Sequence, residues 1–211
     1  MQIIDASYEI DHFEPEEDVR RIAKAARICY KFPELKSFEE QAALVRRLRD
    51  RDSKHPHHSP LEHSSLSVDF IINRGISHEL VRHRHTAYSQ ESTRYCNYST
   101  GRFNNEIIFI KDSASFESAV NDIWMDGLAR AEEEYFKRLS AGQKPEEARG
   151  CLPNDLKTEL YVTTNFREWR NIFNLRCDSH AHYQMREIMI PLFKELRDKL
   201  PCVFDDIKLN D

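Results

Sequence analysis

Between positions 82 and 95 the chain reads Arg82-His83-Arg84-His85-Thr86-Ala87-Tyr88-Ser89-Gln90-Glu91-Ser92-Thr93-Arg94-Tyr95, a run of arginines and histidines interleaved with hydroxyls and an amide. Arginines this close repel one another unless something negative lies between them, and their planar forks suit phosphate or a carbonyl edge. A helix face that merely meets water uses Lys and Glu at helical spacing. This stretch has no Lys, and its Ser, Thr, Gln and Tyr side chains can bond a polar ligand. The chemistry it implies is recognition of a small anionic ligand.

Further along, Asn165 and Asn171 would present two side-chain amides from nearby turns of one helix, the groups that read the carbonyl and amide edge of a flavin ring or an adenine. Taken alone, a capping Asn165 and a solvated Asn171 account for them equally. Arg176 closes the same helix, where the dipole favours a cation even without a ligand. The stretch His55-Pro56-His57-His58-Ser59-Pro60-Leu61-Glu62-His63, with His180 and His182, can also be read as a metal site, since imidazoles and a carboxylate bind zinc, manganese or iron. That reading gives a metal-dependent nucleotide hydrolase. The run lacks the helical His-Glu-x-x-His spacing and the Asp cluster of a two-metal hydrolase, so no metal is expected. For His63, His180 and His182, structural hydrogen bonding and ligand contact both stay open.

Arg82-His83-Arg84, seven residues, Ser92 and then Arg94-Tyr95 resemble the signature of the flavin-dependent thymidylate synthases. Ala25-Ala26-Arg27, the His57–His63 stretch, Arg149 with Leu152-Pro153, and Asn165 through Ser179-His180 are similar to other parts of that family. The resemblance covers about three quarters of the chain. It implies reductive methylation of dUMP to dTMP, with 5,10-methylenetetrahydrofolate as carbon donor and FAD, reduced by NADPH, as hydride source. It assigns His57, Ser59, Glu62, Arg82, His83 and Arg84 to the FAD site, with Gln90, Asn165, Phe166, Arg167 and Asn171. It assigns Glu79, Arg82, Gln90, Glu91, Ser92, Thr93, Arg94, Arg149 and Arg176 to dUMP, with Ser92 and Arg94 near phosphate and sugar and Arg176 favouring the ionised uracil ring. Gln90 departs from the Glu many relatives carry there, which leaves open whether Gln90 or Glu91 fills that role. The family is homotetrameric, with each active site assembled from several subunits.

Methylation at C5 requires that carbon to become electron-rich. Conventional thymidylate synthases achieve this by adding a cysteine thiolate at C6, in a Pro-Cys-His context. Here Pro201-Cys202 runs into Val203-Phe204, and only Cys177, after Arg176, sits beside a basic group. The reading that follows is electrostatic activation by an arginine. Ser92 reads better as a phosphate-binding hydroxyl than as a nucleophile, because no His or carboxylate is placed by sequence to activate it. No GxGxxG is present, so FAD is not held by a Rossmann turn.

The elements that must position these groups are mostly helical. The 211 residues suit a single domain spanning residues 1–211, and 40% hydrophobic residues suffice for a core. No apolar run approaches membrane-spanning length and no signal peptide opens the chain, so the expected protein is cytoplasmic and not bound to a membrane. Five widely spaced cysteines read as reduced thiols. A net charge of −5 disfavours nucleic acid, and with it a non-catalytic RNA-binding module. Alternation predicts strands over Gln2–Tyr8, Leu66–Ile71, Ile107–Ile110 and Leu160–Thr164. Helical spacing predicts Glu16–Tyr30, Ser37–Arg49, Phe116–Leu139 and Phe166–Leu175, brief helices from Ser77 and from Pro145, and a last helix from about Ser179 to Leu200. The Arg-His-Arg segment falls at a helix end and in the loop after it, with Arg82 and Arg84 diverging from helical backbone. The fold class is α/β or α+β, a small central sheet flanked by helices.

Overall fold

A computed structural model describes residues 1–11, 13–31, 33–50 and 57–209; His55 and Pro56 of the histidine-rich stretch lie outside it. In chain order the elements are β1 (Gln2–Ile4), β2 (Ser7–Asp11), α1 (Pro15–Tyr30), α2 (Phe38–Asp50), β3 (Ser65–Asn73), α3 (Arg74–Leu80) and β4 (Thr86–Gln90). They continue with β5 (Ile108–Ile110), α4 (Asn121–Ser140), α5 (Pro145–Ala148), β6 (Lys157–Asn165), α6 (Phe166–Arg176), α7 (Tyr183–Lys199) and α8 (Pro201–Phe204). A four-stranded sheet has the order β2-β3-β6-β4, and β1 pairs in parallel with β5, Ile3 opposite Phe109. Helices with two small sheets make this an α+β fold.

Local chemistry sets most boundaries. The Ser37 hydroxyl accepts from the Glu40 amide at 3.2 Å while the Glu40 carboxylate accepts from the Ser37 amide at 3.3 Å, a reciprocal capping box that starts α2. Asn73 and Asn165 each end a strand and cap the next helix, their Oδ1 atoms accepting from Ile76 N at 2.7 Å and Glu168 N at 2.9 Å. Gly142, at φ 93°, takes the left-handed conformation that ends α4.

Several expectations need correction. The predicted Gln2–Tyr8 strand is two strands in different sheets, and alternation alone cannot show that break. The last helix starts at Tyr183 rather than Ser179, because Asp178 turns back to accept from the His180 amide at 2.9 Å. Helix α4 starts at Asn121 rather than Phe116: the Asp112 carboxylate accepts from Ser115 Oγ at 2.5 Å, and Glu117 sits at φ 58°, where a helix cannot pass. Val120, just before it, and Ile123, in its first turn, are exposed, Ile123 by 72%. Helix α3 begins at Arg74, three residues early, and has ended by Arg82. Arg82, His83 and Arg84 lie in a turn, and Thr86–Gln90, expected as loop, is strand β4, as its alternating Thr, Tyr and Gln permit. Arg82 and Arg84 therefore diverge from a turn, not from helical backbone.

The chain divides into two compact units. One comprises Met1–Tyr8, Asp69–Arg82 and Tyr88–Tyr161, with a core of Tyr98, Ile107, Phe109, Leu128, Tyr135, Ala148 and Leu156. The other comprises Glu9–Val68, His83–Ala87 and the residues from Val162 onward. Its core includes an aromatic cluster beneath α6: Trp169 stacks on Phe173 at 5.6 Å between centroids, and Phe173 meets Phe193 at 5.3 Å and Phe204 at 5.7 Å. Phe173 is the shared member. Phe173→Ala should destabilise the fold by about 3–5 kcal/mol, the usual cost of a large buried cavity, and urea unfolding monitored by Trp fluorescence measures it.

Candidate active site

Helix α6 divides its residues sharply. Phe166, Trp169, Ile172 and Phe173 recur at helical spacing and are fully buried, and the Trp169 indole donates to the Leu66 carbonyl at 3.1 Å. With that face anchored, Asn165, Arg167, Asn171 and Asn174 face a cavity of about 550 Å³, which His58, Glu62, His85, Glu168 and Arg170 also line. Arg167 forms an ion pair with Glu62. Arg170 is buried, donating to the Val203 carbonyl and, in fork fashion, to both Asp206 oxygens at 2.6 Å.

A chain of polar contacts runs along one edge of α6. Asn171 Nδ2 donates to Glu168 Oε1 at 3.0 Å, His83 Nδ1 lies 3.1 Å from the same oxygen, and Arg176 Nε donates to His83 Nε2 at 3.0 Å. The contact between His83 and Glu168 has the geometry of an ion pair. Burial, and then the Arg176 guanidinium, lower the His83 pKa, so we read the ring as neutral.

The sequence expected Glu62, Asn165, Arg167 and Asn171 at the flavin, and the structure gathers all four at this one cavity. The ring of Phe166 instead packs edge-on against Phe204 in the core, which leaves a ligand only its backbone. His57 is half-buried, Ser59 exposed in a short 3-10 turn, and Arg84 exposed. Glu168, His58, His85 and Asn174 were not singled out by sequence. A Glu three residues after a capping Asn reads as a local capping partner, yet this carboxylate turns to His83 and Asn171.

The residues expected at dUMP, Arg176 apart, fall in the other unit. Arg149 donates to the Thr93 hydroxyl at 2.8 Å, Arg94 lies 3.5 Å from Glu146, Ser92 Oγ accepts from the Arg94 amide, and Glu79 and Arg82 end α3 and its turn. Gln90 Nε2 donates to Ser77 Oγ at 2.8 Å and Thr158 Oγ1 at 3.2 Å, and Ser77 Oγ itself donates to the Arg74 carbonyl. With the Ser77 proton committed, position 90 needs a donor, which Gln supplies and an ionised Glu does not. The Glu91 carboxylate is engaged by Lys157 at 3.1 Å and by the Tyr98 hydroxyl at 3.2 Å.

Residues 10–202 match the family of thymidylate synthase complementing proteins. A flavin-dependent thymidylate synthase of Geobacter sulfurreducens is 30% identical over 188 residues, covering 88% of this chain and 80% of that relative. One from Mycobacterium avium is 34% identical over 164 residues (72% and 66%), and one from Kosmotoga olearia 31% over 163 residues (72% and 71%). The chain belongs to the flavin-dependent thymidylate synthase family. Membership makes it an enzyme, a methyltransferase of the FAD-dependent kind.

The cavity suits the flavin nucleotide that membership implies. Its lining is rich in amides, imidazoles and guanidinia, and His58 Nε2 is a buried polar atom with no hydrogen-bond partner among the described residues. Four of the five thiols are poorly suited to act as nucleophiles. Burial pushes Cys177 up to about 12 and Cys202 up to about 11, and raises Cys96 and Cys151 as well. Among the described residues no cluster of three or more His, Cys, Asp or Glu could hold a metal, and no helix is long and apolar enough to cross a membrane.

His83, buried, and His58, half-buried, give the family member a distinct acid response. Burial, then Arg170, lowers His58; burial, then Arg176, lowers His83. Above the unfolded value of about 6.5 both rings are neutral in either state and their contribution is complete. As pH falls below it, the unfolded chain gains protons the folded one refuses, and stability drops until the folded pKa is passed. Asp18 and Asp155, raised by burial, act in the opposite sense. His58→Asn should therefore show a smaller loss of urea midpoint than the unaltered protein between about pH 7.5 and 5.5, and equal losses in the two would show that His58 protonates freely in the fold.

Proposed function

We propose that this protein catalyses the reductive methylation of dUMP to dTMP, with methylenetetrahydrofolate as carbon donor and NADPH as reductant, as a single-domain, cytoplasmic homotetramer. The observation that carries the reading is the cavity on the polar face of α6, where Glu62, Asn165, Arg167 and Asn171 meet at one wall. Asn165 and Asn171 supply amides for a planar heterocycle, and Arg167 supplies charge for its phosphates. Bound FAD, once reduced, supplies the hydride.

The chain's own task is to bind, orient and polarise. In this reading Ser92, Arg94 and Arg149 hold the phosphate and sugar of dUMP, and Glu79, Arg82, Gln90, Glu91 and Thr93 shape the pocket around it. Arg176 stabilises negative charge on the uracil ring, making C5 electron-rich with no covalent adduct at C6. A planar guanidinium can meet a carbonyl and a ring nitrogen together, which an ammonium cannot.

Arg176→Ala should lower turnover by about 2–4 kcal/mol, the loss of one preorganised donor, while FAD affinity stays near normal. Arg176→Lys should restore little. Single-turnover methyl transfer at saturating dUMP, with flavin pre-reduced, measures both, and near-normal rates in Arg176→Ala would move activation to another group. Each cysteine replaced singly by Ala should leave dTMP formation largely intact. A preparation that stays colourless and takes up no FAD in a titration would sink the assignment, and sedimentation velocity checks the tetramer.

A further inference from the structure

His83, the middle residue of the Arg-His-Arg signature, is 5% exposed, and partners within the protein engage both its ring nitrogens. Arg176 Nε carries one hydrogen and accepts nothing, so in its 3.0 Å contact with His83 Nε2 the arginine is the donor and the imidazole offers its lone pair. The proton of the neutral ring then sits on Nδ1, facing Glu168 Oε1 at 3.1 Å. An imidazolium, or the other tautomer, would set two N–H groups head to head at Nε2. Glu168 is itself fixed: Asn171 Nδ2 donates to the same carboxylate oxygen at 3.0 Å, and its backbone amide donates to the Asn165 cap at 2.9 Å.

We propose that Glu168 and His83 are positioning residues for Arg176: Glu168 holds His83 in its Nδ1–H tautomer, and His83 Nε2 thereby anchors Arg176 Nε and fixes the plane of the guanidinium. This rests on the reading of Arg176 as the group that acts on the uracil. The histidine of the signature then works inside the protein, and its ligand-facing work is done at one remove through an arginine 93 residues away in sequence. The gain is preorganisation, because an arginine anchored at Nε has fewer torsions to freeze when its substrate arrives.

The first test uses the unaltered protein without flavin. Nitrogen-15 spectra of labelled histidines at about pH 7.5 should show His83 neutral, with Nδ1 protonated and Nε2 bare; an Nε2–H ring or an imidazolium overturns the proposal. The second test uses Glu168→Gln, whose amide can donate as well as accept and so ceases to dictate the tautomer. Both His83 tautomers should then appear. Single-turnover methyl transfer at saturating FAD and dUMP should fall by about 10- to 100-fold, the scale seen when the outer partner of a metal-ligating histidine is lost. In an Arg176→Ala background Glu168→Gln should have no further effect on rate, since its influence passes through the arginine. If Arg176→Ala itself keeps its rate, the reading of Arg176 fails. If Arg176→Ala is crippled while Glu168→Gln keeps both rate and tautomer, only the positioning proposal fails.

Discussion

The fold and the site both depend on the burial of one face of α6. Phe166, Trp169, Ile172 and Phe173 are wholly enclosed, and the Trp169 indole is bonded to the Leu66 carbonyl. That anchoring fixes both the rotation and the axial position of the helix. Fully burying aromatic side chains contributes about 1.5–3 kcal/mol each, whereas an Asn or Arg at the surface contributes little to where a helix sits. The apolar face therefore dictates where the polar face points. The placement of Asn165, Arg167, Glu168, Asn171 and Arg176 follows from how that core is packed.

A second constraint is the set of buried arginines. Arg49 donates to the carbonyls of Pro201 and Cys202 at 3.2 and 3.1 Å and pairs with Asp50 and Asp205, while Arg170 forks onto Asp206. Desolvating such pairs costs several kcal/mol per ion, so their net contribution to stability is small, although removing one partner would cost about 3–5 kcal/mol. What they provide here is definition. Two guanidinia fasten α8 to α2 and α6 through its backbone carbonyls, Arg49 at Pro201 and Cys202 and Arg170 at Val203, and Arg170 is also part of the cavity wall.

Much of this was legible where the physics is local. The helix that begins at Ser37 and the cap at Asn165 each depend on residues within a turn of one another, so the chain announces them. The resemblance names Asn165, Arg167 and Asn171 for the flavin, and a single element brings those three to one cavity. What escaped was non-local. The first strand divides because its two halves find different partners. The signature runs through a turn into β4 because pairing with β6 rewards an extended Thr86–Gln90, and no property of those residues in isolation forbade a loop. His83 and Glu168 lie 85 positions apart, and a Glu three residues beyond a cap looks like a capping group until the fold brings a histidine to it.

The juxtaposition of Arg176 and Cys177 shows why adjacency in sequence misleads about chemistry. A thiol beside an arginine reads as an activated nucleophile, since a neighbouring cation favours thiolate. Successive helical positions, however, point about a third of a turn apart. Arg176 stays half-buried with Nε on His83, while Cys177, at 3% exposure, turns into the core and its thiol rises to about 12. Ionising it near neutrality would cost about 7 kcal/mol at 1.36 kcal/mol per pKa unit. The helix end thus sets a permanent cation and an inert thiol side by side. In the proposed reading, the chemistry at this helix end is the stabilisation of charge on a substrate rather than the formation of a bond to sulfur.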